Sequence, residues 1–268
     1  MIFRLQPCKA FGRAGSSQMR ALCVLLLVLF GGGGVKAQNG DFAPRAKQAY
    51  LMDADSGAIL YQHAGDELMF PASMSKLMTL AVVFRALKAG TLKPSDEFLV
   101  SEGAWRRGGA PSGTSAMMIP LNAKARLDEL LQGIIIQSGN DACIVIGEGM
   151  AGSEDAFAKL MTEEGIKIGL KKSTFHNSTG LHHPEHQTTA RDLAHLARYI
   201  IREHPEHMPL FSQKEYIYRK HRFINRNPLL FVNIGADGLK TGFTKEAGYG
   251  TLISASKPAT RVWLVVLS

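Results

Sequence analysis

Between residues 48 and 62, two apolar runs, Tyr50-Leu51-Met52 and Ile59-Leu60-Tyr61, flank the turn tripeptide Asp55-Ser56-Gly57 and predict a β-hairpin. Residues 73–87 are apolar on nearly every face, through Met74, Leu77, Met78, Val82, Val83 and Phe84, and the run stops at Gly90; this predicts a central buried helix. The Gly-, Ser- and Pro-rich stretch 103–115 predicts a surface loop, either bordering a cleft or solvated. Helical periodicity over 127–136 resumes at 141–147, which leaves Ser138-Gly139-Asn140 in a tight interhelical turn, and further helices are predicted over 154–165 and 189–203. Strand-type runs close the chain at 237–243, 250–256 and 261–267, with Lys257-Pro258 as the last turn. Strands at both ends and helices between predict an α+β architecture: an antiparallel sheet in which the first hairpin pairs with the last strands, and an inserted helical lobe.

Composition changes this picture at one end only. The chain of 268 residues is 46% hydrophobic and 20% charged, ordinary for a globular protein, and its formal charge is +8. Five of the basic residues, Arg4, Lys9, Arg13, Arg20 and Lys36, lie in residues 1–37, which hold no acidic residue. A basic start, an apolar core at 21–30, the Gly31–Gly34 breaker and small residues before Ala37 make residues 1–37 a signal peptide. The apolar stretch is shorter than the roughly 20 residues that span a bilayer. Residues 38–268 are then the exported domain, in the periplasm or on the outer face of the cytoplasmic membrane. Cys143 alone remains there, so no intramolecular disulfide is expected, and its apolar neighbours predict a buried inert thiol.

Three triplets carry candidate chemistry: Ser73-Met74-Ser75-Lys76 at the start of the apolar helix, Ser138-Gly139-Asn140 in the turn, and Lys240-Thr241-Gly242 in a late strand. Each is frequent by chance; their order on a helix, a loop and a strand is a specific constellation. A serine hydroxyl needs a base to become a nucleophile, and the i+3 spacing puts Lys76 beside Ser73. Burial and a second cation, Lys240, would lower the lysine's pKa enough for that role. Ser138 offers a hydroxyl for proton relay, and the Asn140 amide either holds a substrate amide or orients Lys76. Lys240 and Thr241 suit an anionic group such as a peptide carboxylate, with Gly242 leaving room for its approach. The backbone N–H groups of Ser73 and Phe243 are the candidate oxyanion donors.

His182, His183, Glu185 and His186 look like a metal cluster, but the spacing departs from H-E-x-x-H and Pro184 favours a solvated loop, so neither metal nor cofactor is expected. A glycine-rich phosphate loop and a basic, aromatic-interleaved strip are both lacking, which argues against nucleotide and nucleic-acid partners.

From about Ala46 to Ser268 the chain resembles the serine-type D-alanyl-D-alanine carboxypeptidases, low-molecular-mass penicillin-binding proteins. The resemblance rests on 70–79 (FPASMSKLMT), 136–142 (IQSGNDA), 189–194 (TARDLA) and 237–242 (DGLKTG). It implies a β-lactamase/transpeptidase-like fold, acylation of Ser73 by a peptidoglycan stem peptide with release of the terminal D-alanine, and inhibition by β-lactam antibiotics. It also makes Arg226 and Arg261 candidates for binding the substrate carboxylate. Family members usually continue past the last strand, so the chain reads as truncated at its C-terminus and without a membrane anchor. Two rivals remain: a β-lactamase, for which no convincing water-activating Glu stands between Asn140 and Lys240, and a catalytically inactive wall-binding protein.

Overall fold

The N-terminal hairpin forms where the pattern places it. In this computed structural model, which describes residues 45–257 and 260–267 with side chains as far as Ser256, β1 (Gln48–Asp53) turns back into β2 (Ile59–His63). The turn is closed by Asp53 Oδ1, which accepts from the Ser56 amide at 2.8 Å and the Ser56 hydroxyl at 2.6 Å, and by Gly57 at φ +78°. β1 then pairs with β9 (Thr260–Leu267) in the register Gln48↔Leu267 to Asp53↔Val262. With β8 (Gly248–Lys257) and β7 (Ala236–Thr244) the sheet runs β2-β1-β9-β8-β7, antiparallel throughout, as expected from strands at both chain ends. The expected signal peptide and the Pro258 turn lie outside the described residues.

The apolar run after Pro71 enters a 3₁₀ turn, Ala72–Ser75, and continues as α1 (Lys76–Lys88), ending before Gly90 at φ +71°. Leu77, Met78, Leu80, Val83 and Phe84 are all fully buried. At about 1.5–3 kcal/mol per large apolar side chain, this helix is a main contributor to the core. No helix of the described residues is long and apolar enough to cross a membrane.

The 103–115 segment differs from its predicted loop. It folds as α2 (Glu102–Gly108) and a 3₁₀ turn, Ala110–Ser112. Ser101 caps the helix by accepting from the Ala104 amide at 2.9 Å, and Glu102 pairs with Arg106 one turn on. Gly108 serves close packing: a Cβ there would stand 2.5 Å from the backbone nitrogen of Asp141. Two small antiparallel strand pairs also escaped the pattern, β3 (Glu97–Leu99) with the distant β4 (Lys124–Arg126), and the hairpin β5 (Glu215–Tyr218) with β6 (His221–Ile224).

The helical lobe otherwise follows the periodicity. α3 (Leu127–Gln132) loosens into a π-helical turn, Gly133–Gln137, before α4 (Asn140–Ala151). α5 (Glu154–Ile168) is capped by Ser153 and α6 (Ala190–Glu203) by Thr189, whose hydroxyl accepts from the Asp192 amide at 3.0 Å. A short α7 (Met208–Phe211) leads towards β5. Cys143 is buried within α4, and burial pushes its thiol up to about 12, as an inert core residue requires.

Candidate active site

Ser73 sits in the 3₁₀ turn, and Lys76 opens the α-helix behind it. The Lys76 Nζ lies 3.0 Å from Ser73 Oγ and 2.7 Å from Asn140 Oδ1, and it also donates to the carbonyl of Thr179. Lys76 is fully buried; burial, reinforced by the Arg226 charge, brings its pKa down to about 8. Its three partners are unequal. Asn140 Oδ1 and the Thr179 carbonyl only accept, whereas the Ser73 hydroxyl can accept or donate. A neutral amine would keep its two N–H groups on the first pair and turn its lone pair to Ser73.

Asn140 is held for this purpose. Its Nδ2 donates to Thr114 Oγ1 at 2.9 Å and its amide to the Ser115 carbonyl at 2.8 Å. The π-helical turn ends on Ser138 in the left-handed region, at φ +63°, ψ +36°. That conformation is strained for serine and aims its hydroxyl at β7, where Lys240 Nζ donates to Ser138 Oγ at 3.0 Å and to the Thr241 carbonyl at 3.0 Å. Lys240 is also buried, and its pKa is pushed well down by burial and then by the charges of Lys76 and Arg226.

Glycine lets two elements close on the 3₁₀ turn. A Cβ on Gly242 would stand 3.0 Å from Ser73 N and 3.2 Å from Met74 N, and one on Gly180 would lie 1.9 Å from the Ala72 carbonyl oxygen. β7 and the 177–181 turn thus abut the turn that carries Ser73. Behind it, His186 Nδ1 accepts from the His176 amide at 3.3 Å, which leaves Nε2 to donate to Ser75 Oγ at 2.7 Å. Burial, with the nearby His176 and His183, brings the His186 pKa down to about 3.

Ser73 opens into a cavity of about 680 Å³ whose wall includes Ser138, Thr241, Gly242, Phe243 and Arg226. An adjoining cavity of about 660 Å³ shares Ser73, Ser115, Arg226 and Phe243. Arg226 reaches this region by donating to Ser115 Oγ at 2.7 Å.

The triplets and Arg226 therefore converge. Arg261 does not join them at the level of the backbone: it pairs with Ser256, while Lys240 stands level with Leu252 and Val265. That separation is roughly 13 Å along the strand and two strands across; the Arg261 side chain lies outside the described residues. The expected solvated histidine loop needs correction as well, because His186 is buried against Ser75. Sequence reasoning missed Thr179, Thr114 and Ser115. Thr179 acts through a backbone carbonyl, which no side-chain pattern encodes; its only signal is the Asn177-Ser178-Thr179-Gly180 turn, in which Asn177 Oδ1 accepts the Gly180 amide at 2.7 Å.

A five-stranded antiparallel sheet, a buried helix bearing Ser-x-x-Lys at its start and a Lys-Thr-Gly edge strand define the β-lactamase/transpeptidase-like class. Among solved structures, penicillin-binding protein 5 from Haemophilus influenzae superposes with a TM-score of 0.80 at 36% identity, covering 85% of this chain and 67% of its own. Penicillin-binding protein D2 from Listeria monocytogenes, in its ampicillin-bound form, gives a TM-score of 0.74 at 29% identity, over 83% of this chain and 89% of its own. The D-alanyl-D-alanine carboxypeptidase DacC of Escherichia coli is 39% identical over 258 residues, 94% of this chain and 64% of that relative. The D-alanyl-D-alanine carboxypeptidase family model, Peptidase S11, matches residues 35–268, and the chain belongs to that family. It spans less than two thirds of the length of the Escherichia coli relatives DacC and DacA.

Proposed function

We propose that the chain is a serine D-alanyl-D-alanine carboxypeptidase that removes the terminal D-alanine from peptidoglycan stem peptides and is acylated by β-lactams. The observation that carries this reading is the Lys76 amine, fully buried and 3.0 Å from Ser73 Oγ, with its other two contacts made to groups that only accept. With a pKa near 8, about a tenth of it is neutral at pH 7.

In the first step Ser73 Oγ attacks the carbonyl carbon of the scissile bond while its proton passes to Lys76 Nζ. The developing oxyanion is stabilised by the backbone N–H groups of Ser73 and Phe243, a pairing supported by the close approach of Gly242 to the 3₁₀ turn. As the tetrahedral centre collapses, the C–N bond breaks, and the proton taken up by Lys76 passes to the departing amine with the Ser138 hydroxyl as relay, while Lys240 holds that hydroxyl in place. Water then adds to the acyl ester as Lys76 takes its proton, Ser73 leaves with that proton returned by Lys76, and the shortened stem is released. Lys240, Thr241 and Arg226 receive the substrate's terminal carboxylate. Residues 1–37 direct export, which places the domain outside the cytoplasmic membrane.

Intact-mass spectrometry after brief exposure to penicillin, followed by peptide mapping, tests the reading. A persistent adduct on Ser73, together with D-alanine release from a stem pentapeptide, is expected, and both should vanish in Ser73→Ala with the circular dichroism unchanged. Rapid penicillin turnover without an adduct would replace the carboxypeptidase with a β-lactamase. Intact penicillin and no adduct would leave a non-catalytic protein.

A further inference from the structure

We propose that His176, His183 and Glu185 form a binding site for a borderline-soft divalent metal ion such as Zn²⁺, set at the neck of the loop that carries Thr179 to Lys76. The nearest ligand atoms of the three side chains all lie within 4.8 Å of one another. The imidazoles of His176 and His183 are stacked, with centroids 4.2 Å apart and planes at 11°, and His176 Nε2 is 3.9 Å from Glu185 Oε2. Around a tetrahedral zinc with bonds of 2.0–2.1 Å, ligand atoms stand about 3.3 Å apart. A metal lies in the plane of each imidazole that binds it, so one ring must turn out of the stack; His176 and Glu185, with side chains 32% and 75% exposed, have room for that turn and for the remaining contraction. Two imidazoles and one carboxylate favour zinc and its neighbours over Mg²⁺ or Ca²⁺. The exposed side leaves the fourth position to water.

The surrounding fold keeps these residues together and gives the neighbouring histidines other side-chain partners. Thr174 and Gln187 exchange backbone hydrogen bonds of 2.9 and 3.1 Å, which close the loop at its base. The His186 amide donates to the His183 carbonyl at 3.0 Å, and the Glu185 amide to His183 Nδ1 at 3.2 Å, a long bond that a metal at this nitrogen would displace. His186 is engaged by Ser75 and His182 by the edge of Phe70. His176 and His183 thus stack against each other beside a carboxylate. Between them the chain runs through Thr179, the Lys76 acceptor, and Leu181 and His182, which line the cavity at Ser73. A metal here would fasten both strands of the loop and stiffen one wall of the active site.

Isothermal titration of the tag-free chain with zinc chloride at neutral pH tests the proposal independently of any activity. One equivalent should bind, and His176→Ala and His183→Ala should each weaken binding at least about tenfold, with Glu185→Gln weaker by a smaller factor. His63→Ala and His221→Ala, at exposed positions in β2 and β6, should leave it unchanged. X-ray absorption of the zinc-loaded chain should show two imidazole nitrogens per zinc, and circular dichroism melts identify any variant that fails to fold. No binding at about 100 μM zinc, or binding that His176→Ala and His183→Ala both leave intact while folded, would overturn the proposal.

Discussion

Lys76 and Lys240 are the same side chain in nearly the same predicament, yet the two halves of the cleft treat them differently. Each is buried, and each lies 3.0 Å from a serine hydroxyl. Lys76, on the helix, has three acceptors from three separate elements. Lys240, on the edge strand, has Ser138 and the carbonyl of its own neighbour, Thr241. The helix-borne amine can therefore gain or lose a proton with every N–H satisfied, as proton transfer requires. The strand-borne amine has fewer partners, so an arriving carboxylate would raise its proton affinity. The lesson is that burial lowers a lysine's pKa, while its partners decide whether it acts as a base or as an anion receptor.

Replacing Lys76 by Met should test this contrast most severely. Loss of the base should slow acylation of Ser73 by penicillin by about 10²–10⁴-fold in stopped-flow measurements; a loss no larger than that in Lys240→Ala would erase the distinction between the two amines. Lys240→Ala removes one charge-assisted contact, so kcat/KM for D-alanine release should fall about ten- to hundredfold, carried mainly by KM. A dominant kcat effect would instead assign Lys240 to proton transfer. The pH profile sharpens the same point. With the Lys76 pKa lowered to about 8, its neutral fraction falls about tenfold per unit below that value. Acylation should accordingly rise with unit slope up to about pH 8 and then level, and a flat profile from 6 to 8 would exclude Lys76 as the base. The smallest change is expected from Glu154→Gln. The Glu154 carboxylate accepts from the Ser178 hydroxyl at 2.7 Å and pairs with Arg107, steadying the segment next to Thr179. A few-fold loss in kcat with KM unchanged is expected, consistent with positioning through one hydrogen bond.

How much of this was legible in the chain depends on where the information resides. Ser73, Lys76, Ser138, Asn140 and Lys240 could be found because side chains of distinctive chemistry recur in fixed triplets. The pairing of the first hairpin with the last strands followed from strand patterns at the two chain ends, and β1 does pair with β9. α2 was hidden because Gly103, Gly108 and Gly109 read as loop residues, whereas Gly108 is there to let α2 press on the Asp141 backbone. β3 and β4 have three residues each, too few for an alternation to register. Asp141 is a buried carboxylate that accepts from the Met117 and Ile119 amides at 2.8 and 3.2 Å, a long-range role invisible to local pattern. Burial raises its pKa despite those amides.

The register Gln48↔Leu267 has a consequence for the chain while it is being made. Synthesis delivers β1 first of the described strands and its partner β9 last of them, so this strand pair cannot assemble until every other strand of the sheet has emerged. Ser73 and Lys76 appear early as well, but Lys240 and Gly242 arrive only with β7. Such distant pairing makes folding slow, since a long loop must close before its contacts are gained. A nascent chain with this topology stays open, without a finished sheet or a finished active site, until β9 has emerged.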